Sequence, residues 1–314
     1  MKNSLYKAIS IAAFCLLFGA GTAAAAGKNS DEITLNIGVQ NSSKPSAMVR
    51  KYRPIVSLLQ RKVAEKLGKR VRIRMQIAKT NQKGIENLAD GKVDFALLGA
   101  ATYVEAKTEN PDIQILAIES KNRTKAVNGI IVTGLHSSIR SIRDLRGQSF
   151  AFGDLQSTSG RFMAQKFLMN NGISAKDLSR YEYLGRHDIV GVKVGVGDFA
   201  AGAMSESTFR KLLSDGEKIR ELARFPIVSK PWVTRAGIVP EIYSALKISL
   251  LEMSNNKALD SLEINGFVEG TNTDYGVVAE AMSNNYTFFS NEDRRPVEWV
   301  LATSNDDKND GSPD

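Results

Sequence analysis

The segment with the greatest potential for chemistry is a run of three hydroxyl residues and a glycine: Ser157, Thr158, Ser159 and Gly160. It follows the apolar residues 149–152, which are typical of a buried strand, and it begins the helical spacing of residues 158–170. The first turn of a helix has free N–H groups and the positive end of the dipole. The hydroxyls add donors and Gly160 allows close approach to the backbone, so the segment predicts an oxyanion cradle. The alternative is that Ser157 is an ordinary N-cap.

The second candidate is His187, which precedes a helical stretch and is one of only two histidines, with His136. Serine, histidine and aspartate are the residue types of a hydrolytic triad. However, the adjacent His187 and Asp188 point apart, and no Gly-x-Ser-x-Gly segment is present. Asp188 is more simply a helix N-cap. Two isolated histidines do not predict a metal site, and no cofactor is expected.

Two series of alternating strands and helices must position these residues. The first has predicted strands at residues 33–39, 71–77, 93–98 and 113–118, with helices at 48–67, 84–88 and 101–107. The second runs from a strand at 128–132 to one at 199–204, and residues 239–253, 257–262 and 275–282 are predicted as helices. Alternation of this kind predicts mostly parallel sheets with ligands at the carboxyl ends of the strands.

Length and composition are those of a soluble α/β protein with an export signal. Lys2 and Lys7 precede an apolar run and a small-residue tract, which predicts a signal peptide over residues 1–26. The only cysteine, Cys15, lies inside it, so the mature chain has neither disulfides nor a thiolate metal site. Cleavage removes two lysines, which lowers the formal charge from +8 to +6. A modest positive charge attracts anions, but no basic run with aromatics predicts nucleic-acid binding.

The chain resembles the periplasmic phosphate/phosphite/phosphonate-binding proteins, the substrate-binding subunits of ABC importers. The resemblance depends on Ala-Phe-Gly-Asp before the hydroxyl run and on three further segments, at residues 93–99, 187–188 and 197–203. It implies a two-lobed type II binding-protein fold, with residues 27–122 and 228–302 in lobe 1 and 123–227 in lobe 2. Residues 303–314 are expected to be a disordered tail.

The resemblance also implies a ligand site between the lobes. It assigns oxyanion binding to Ser157, Thr158, Ser159 and Gly160, a donor to His187, and a cleft tyrosine to Tyr103. Asn81 stands in a segment, 78–81, where many members have a tyrosine. A replacement for the donor of that tyrosine could come from Asn81, Lys79 or Lys230. An acidic residue expected to pair with a ligand amine is displaced to Glu206, which argues against an aminophosphonate.

The sequence therefore predicts a monomeric periplasmic protein that captures a phosphonate, phosphite or phosphate by closure and delivers it to an inner-membrane ABC permease. Two alternatives remain open: a ligand sensor that docks onto a membrane sensor kinase, and a periplasmic phosphoester hydrolase.

Overall fold

The computed structural model describes residues 32–40 and 44–289. The predicted signal peptide and the predicted disordered tail lie outside these residues. Within them, no helix combines the length and the apolar composition needed to cross a membrane.

The described residues form two sheets, and the first has six strands in the order β11-β4-β10-β3-β1-β2. The strands are β1 (Glu32–Val39), β2 (Arg70–Ile77), β3 (Phe95–Leu97), β4 (Gln114–Ser120), β10 (Pro231–Thr234) and β11 (Gly266–Val268). β1 pairs in parallel with β2 and β3, whereas β10 and β11 pair antiparallel with their neighbours. The strand β11 lies in a part of the chain for which the sequence predicts only helices.

The second sheet has five strands in the order β7-β6-β8-β5-β9. They are β5 (Ala126–Gly134), β6 (Ser149–Phe152), β7 (Arg180–Tyr183), β8 (Ala201–Ser205) and β9 (Ile219–Val228). β6 pairs in parallel with β7 and β8, and β5 pairs antiparallel with β8 and β9. Most strands of each sheet therefore share one direction, as the sequence predicts, and the reversed strands are β5 in this sheet and β10 and β11 in the first.

Within residues 32–40 and 44–289, eight α-helices cover the sheets. They are α1 (Pro45–Leu67), α2 (Asn81–Ala89), α3 (Ala100–Glu109), α4 (Met163–Asn170), α5 (His187–Gly195), α6 (Glu206–Ser214), α7 (Pro240–Leu251) and α8 (Gly276–Ser283). The predicted helix at 257–262 is a 3₁₀ segment, Lys257–Leu262. Helix α1 ends at Gly68, whose φ of 60° is left-handed and suits a glycine cap.

The chain passes between the sheets twice, at residues 121–125 and 229–230. Residues 285–289 belong to the range 228–302 that the resemblance assigns to lobe 1. The segment Asn285–Phe289 packs on the second sheet, where Phe288 meets Phe152 and Tyr181 edge to face. Burial of an aromatic side chain in an aromatic cluster outweighs the continuity of the chain here.

Candidate functional site

The hydroxyl run lies where the sequence places it, between β6 and α4. Thr158–Phe162 forms a single π-helical turn, and the Phe162 N–H donates to the Ser157 carbonyl at 3.2 Å. π-helical turns occur frequently at functional sites. The Ser157 side chain accepts from the Gly160 N–H at 2.9 Å, so Ser157 is the N-cap. The N-cap alternative is therefore correct for the Ser157 oxygen. The hydroxyl proton of Ser157 takes no part in this contact and can still be donated to another group.

All three hydroxyl residues are buried, with 5–8% of their surface exposed. Thr158 Oγ1 accepts from the N–H of Ala101, the second residue of α3, at 2.8 Å. Ser159 Oγ has no hydrogen-bond partner among residues 32–40 and 44–289. Buried hydroxyl groups normally have partners, so both Thr158 and Ser159 retain a proton for an acceptor placed between the sheets.

His187 is buried and contacts Ser157 directly, with Nε2 at 2.9 Å from Oγ. Its other ring nitrogen, Nδ1, accepts from the backbone N–H of Ser205 at 3.3 Å. A backbone N–H can only donate, so the neutral ring carries its proton on Nε2 and donates it to Ser157. Ser157 Oγ thus accepts two hydrogen bonds, and its own proton is directed to a third group. His187 therefore orients Ser157.

This hydrogen-bond polarity argues against the hydrolase alternative. A general base must accept the serine proton, whereas here His187 donates to the serine oxygen. Asp188 does not orient the ring, because Arg186 holds its carboxylate at 2.7 and 3.0 Å. Asp188 is also the second residue of α5 and not its N-cap, which is Arg186.

Gly160 has a different role from the predicted one. A Cβ atom on Gly160 would lie 2.8 Å from both His187 Nε2 and Ser157 Oγ. One on Gly153 would lie 2.9 Å from the His187 ring. The two glycines therefore make room for the imidazole, and the face of Gly160 that was expected to admit ligand is occupied by His187.

The His187 ring is held in its neutral form. Burial, followed by the positive charge of Lys230, lowers the pKa of His187 from 6.5 to about 4. A proton on the ring would lie in a poorly hydrated site, and the charge of the Asp188 carboxylate offsets this cost only in part.

The first sheet contributes groups from the ends of β1 and β3. The N–H of Gly99, the N-cap of α3, donates to Gln40 Oε1. This contact fixes the amide, because only its oxygen can accept. Gln40 Nε2 is then a buried donor without a partner in the described part of the chain. Such a donor is costly unless a ligand or water accepts from it.

Asn81 contacts the second sheet, through its own side chain. At the start of α2, its Nδ2 donates to Asp154 Oδ1 at 2.9 Å. The same oxygen accepts from the Gln156 N–H at 2.8 Å. Asn81 therefore fixes the loop before the hydroxyl run. We call the region where residues 153–160 meet residues 40, 81–82 and 99–102 the inter-sheet junction.

Tyr103 is not brought to the hydroxyl groups. Its side chain is fully buried, its hydroxyl donates to Asn272 Oδ1 at 2.5 Å, and its ring packs edge to face on Tyr275. Burial raises the pKa of this phenol. In this structure Tyr103 therefore packs against Tyr275 and bonds to Asn272.

The sequence does not decide the positions of three charged residues, and the structure places them in different surroundings. Glu206 is engaged by Asn128 at 3.0 Å and Arg210 at 2.7 Å. Lys79 is exposed on the surface. Lys230 is half-buried and close enough to His187 to act on its pKa.

Sequence reasoning missed Gln40 and Ser205. Ser205 ends β8 and Gln40 directly follows β1, and the rule that ligands bind at the carboxyl ends of strands could have found them. Among the described residues, no three His, Cys, Asp or Glu side chains are grouped to hold a metal ion.

Comparison with known proteins defines the family. Residues 37–275 match the family of ABC transporter, phosphonate, periplasmic substrate-binding proteins. A probable ABC transporter phosphite-binding protein, PhnD1 of Prochlorococcus marinus (strain MIT 9301), is 24% identical over 210 residues, which is 60% of this chain and 70% of that protein.

Solved structures share the fold. PhnD1 from Prochlorococcus marinus (MIT 9301) in complex with methylphosphonate has a TM-score of 0.69 at 19% identity, covering 79% of this chain and 96% of that one. A binding protein component of an ABC phosphonate transporter from Pseudomonas aeruginosa has a TM-score of 0.73 at 16% identity, covering 86% and 92%. The chain belongs to the periplasmic phosphonate-binding proteins of ABC transporters, a family of substrate-binding components and not of enzymes.

Proposed function

We propose that this protein binds a phosphorus oxyanion (phosphonate, phosphite or phosphate) at the inter-sheet junction, through Ser157, Thr158 and Ser159. The observation that carries the proposal is that these adjacent, buried hydroxyls each retain a proton with no acceptor assigned among the described residues. An anion at this position would also meet the first N–H groups of the helical turn. Hydrogen bonds to a charged acceptor are the stronger kind.

Gln40 is the donor we add from the first sheet. Its unpartnered amide nitrogen and the Thr158 hydroxyl both neighbour Gly99: a Cβ there would lie 3.1 Å from Gln40 Oε1 and 3.6 Å from Thr158 Oγ1. A tetrahedral oxyanion has several acceptor oxygens and can accept from both sheets at once.

Binding would then couple to closure of two lobes built on the two sheets, with bending at residues 121–125 and 229–230. Residues 32–122 would belong to lobe 1 and residues 123–228 to lobe 2. The return segment from residue 229 would belong to lobe 1, except for its end at residues 285–289. The contacts Thr158–Ala101 and Asn81–Asp154 would form on closure.

The ligand we favour has no ammonium group. Glu206, the acid expected to meet such a group, is already bound by Asn128 and Arg210, and Arg224 lies 3.6 Å away. A carboxylate shared among these partners offers little to an amine.

Membership in the family implies a periplasmic protein that serves a membrane permease. We propose that the mature protein is a monomer that begins near Ala26 or Gly27. Intact-mass measurement of the exported protein tests the cleavage site, and retention of Lys2 or a lipid on Cys15 would contradict it.

Calorimetric titration with methylphosphonate, phosphite, phosphate and 2-aminoethylphosphonate tests the ligand. We expect binding of at least one small unsubstituted oxyanion, and weaker binding of 2-aminoethylphosphonate. A ligand at a hundred times its Kd should add about 2.7 kcal/mol to the free energy of unfolding. Binding of amino acids or sugars, and of none of these anions, would overturn the proposal.

A further inference from the structure

A group of charged side chains lies beside the inter-sheet junction, where the chain returns to the first sheet. We call it the hinge cluster, and it consists of Lys51 and Tyr52 of α1, Glu119 of β4 and Lys230. The Lys230 ammonium lies 3.5 Å from the Tyr52 hydroxyl, and the Lys51 ammonium lies 6.0 Å from the Tyr52 ring centre. Glu119 is buried and accepts from the Trp232 indole N–H at 3.3 Å.

The cluster has more positive than negative charge. Two lysines face one carboxylate, and among the described residues neither lysine has a carboxylate oxygen within 4.0 Å. Burial and the charge of Lys230 lower the pKa of Lys51 to about 8, and burial raises the pKa of Glu119. Tyr52 and Glu119 hold the pKa of Lys230 above its usual value. A partly dehydrated cation without a counter-charge is unfavourable unless an anion joins it.

Backbone contacts place the cluster next to the proposed ligand site. Pro231, the neighbour of Lys230, accepts from the Leu98 N–H at 3.2 Å, and Gly99 follows at the start of α3. The charge of Lys230 also acts on His187, whose Nε2 contacts Ser157. The charged groups around Lys230 are therefore Lys51, Tyr52, Glu119 and His187, with Arg210 and Glu263 acting on Lys51.

We infer that Lys51 and Lys230 provide the counter-charge for the bound oxyanion and make the site select ligands with two negative charges over isosteric ligands with one. The inference rests on the proposed function and names its ligand class: a tetrahedral dianion without an ammonium group. Neutral hydroxyl and amide donors cannot distinguish a dianion from a monoanion of equal shape as strongly as a cation can.

Methylphosphonate and methanesulfonate are the probes, because they share a shape while methylphosphonate takes a second negative charge near neutral pH. Their affinities are measured at pH 7.5 by calorimetric competition, so that a weak ligand still gives a value. The variants are Lys230→Gln and Lys51→Gln. Lys62→Gln is the control, because it removes the same charge from α1 at a surface site paired with Glu252.

We expect Lys230→Gln to weaken methylphosphonate binding about ten- to a hundredfold. Methanesulfonate has half the negative charge, so its binding should weaken by only about three- to tenfold. Lys51→Gln should act in the same direction, and Lys62→Gln should leave both affinities within about twofold. The melting temperature of the ligand-free protein should stay unchanged or rise in Lys51→Gln, since burial and Lys230 disfavour the charge that is removed. It should fall slightly in Lys230→Gln, since Tyr52 and Glu119 favour that cation. Loss of affinity in Lys51→Gln without loss of stability separates this role from a structural one.

Two results would overturn the inference: equal weakening of both ligands, or methylphosphonate affinity unchanged in both Lys230→Gln and Lys51→Gln. Failure of the proposed function has a different signature, because the wild-type protein would then bind neither probe. A fall in apo melting temperature together with unaltered ligand preference would assign the cluster to folding alone.

Discussion

The two sides of the inter-sheet junction are built in opposite ways. On the second-sheet side, Ser157, Thr158 and Ser159 are neighbours in the chain, and His187 orients the first of them. On the first-sheet side, Gln40 follows β1, Ala101 is the second residue of α3 and Lys230 lies in the second crossing, so the groups are far apart in sequence. The second-sheet side offers neutral donors, and the first-sheet side adds the positive charge.

The difference means that the second-sheet side sets the geometry of the ligand site and the first-sheet side sets its charge. A helix start places several donors within one turn, which suits the oxygens of a tetrahedral anion. Its charge must be met by cations from elsewhere, because Lys51 and Lys230 are the unpaired lysines beside the junction in the described part of the chain. Substitutions on each side should therefore have different signatures.

Gln40→Glu is expected to have the largest effect. The glutamate keeps an oxygen for the Gly99 N–H but replaces the unpartnered donor with a negative charge. Loss of the donor and repulsion of the anion together should weaken methylphosphonate binding about a hundredfold. Calorimetry measures this, with Gln40→Met as the uncharged comparison. If Gln40→Glu binds normally, Gln40 does not face the ligand, and the first-sheet side has no neutral donor there.

Ser159→Ala and Thr158→Ala test the opposite side. Each removes a hydroxyl donor to a charged acceptor, so affinity should fall about ten- to a hundredfold. The apo melting temperature should hardly change for Ser159→Ala, which loses no contact among the described residues. Ser214→Ala, at the exposed end of α6, is the matched control. Unaltered affinity in both variants would place the ligand elsewhere.

His187 should affect binding through Ser157. His187→Ala leaves Ser157 without its donor, and we expect affinity to fall about tenfold. Glutamine can donate to Ser157 and accept from the Ser205 N–H, so His187→Gln should recover part of the loss. Equal loss in both variants would argue that the imidazole itself contacts the ligand.

The same residue predicts a pH dependence of stability. Its folded-state pKa of about 4 lies below the ordinary histidine pKa of 6.5, so the unfolded chain binds the proton first as pH falls. The contribution of His187 is complete above about pH 6.5, and it is lost as pH falls towards 4 at no more than about 1.4 kcal/mol per pH unit. Urea unfolding at several pH values gives the free energy of unfolding as a function of pH, and this free energy should change less with pH in His187→Gln than in wild type. The same pH dependence in both proteins would mean that the ring is not held neutral.

Asn81→Ala is expected to have the smallest effect. The substitution removes the hydrogen bond from the Asn81 amide to the Asp154 carboxylate, which links the two sides of the junction. Its loss should disfavour closure and so weaken ligand binding about threefold. Gln82→Ala is the adjacent control, since its contact with Gln156 is longer, at 3.4 Å. An effect as large as that of Ser159→Ala would mean that Asn81 contacts the ligand directly.

The sequence predicted the hydroxyl run and its position between strand and helix. It could not decide the surroundings of Tyr103, because the aromatic pattern at a helix start is the same for a ligand contact and for packing against Tyr275. It also could not place residues 285–289, because periodicity does not report which segment packs where. The reversed directions of β5, β10 and β11 were not visible in the alternation alone.

What the sequence determined by itself is local. Ser157 caps its helix, and the hydroxyl run follows β6, because such features depend on neighbours within a few residues. Tertiary structure decided the tautomer of His187, the orphaned amide of Gln40 and the charge excess at Lys51 and Lys230. Each depends on atoms from strands and helices far apart in the chain, such as Ser205, Gly99 and Tyr52. The direction of a hydrogen bond and the burial of a group are fixed only when those elements pack together. They decide which group donates a hydrogen bond, which group is charged and which donor is left for a ligand.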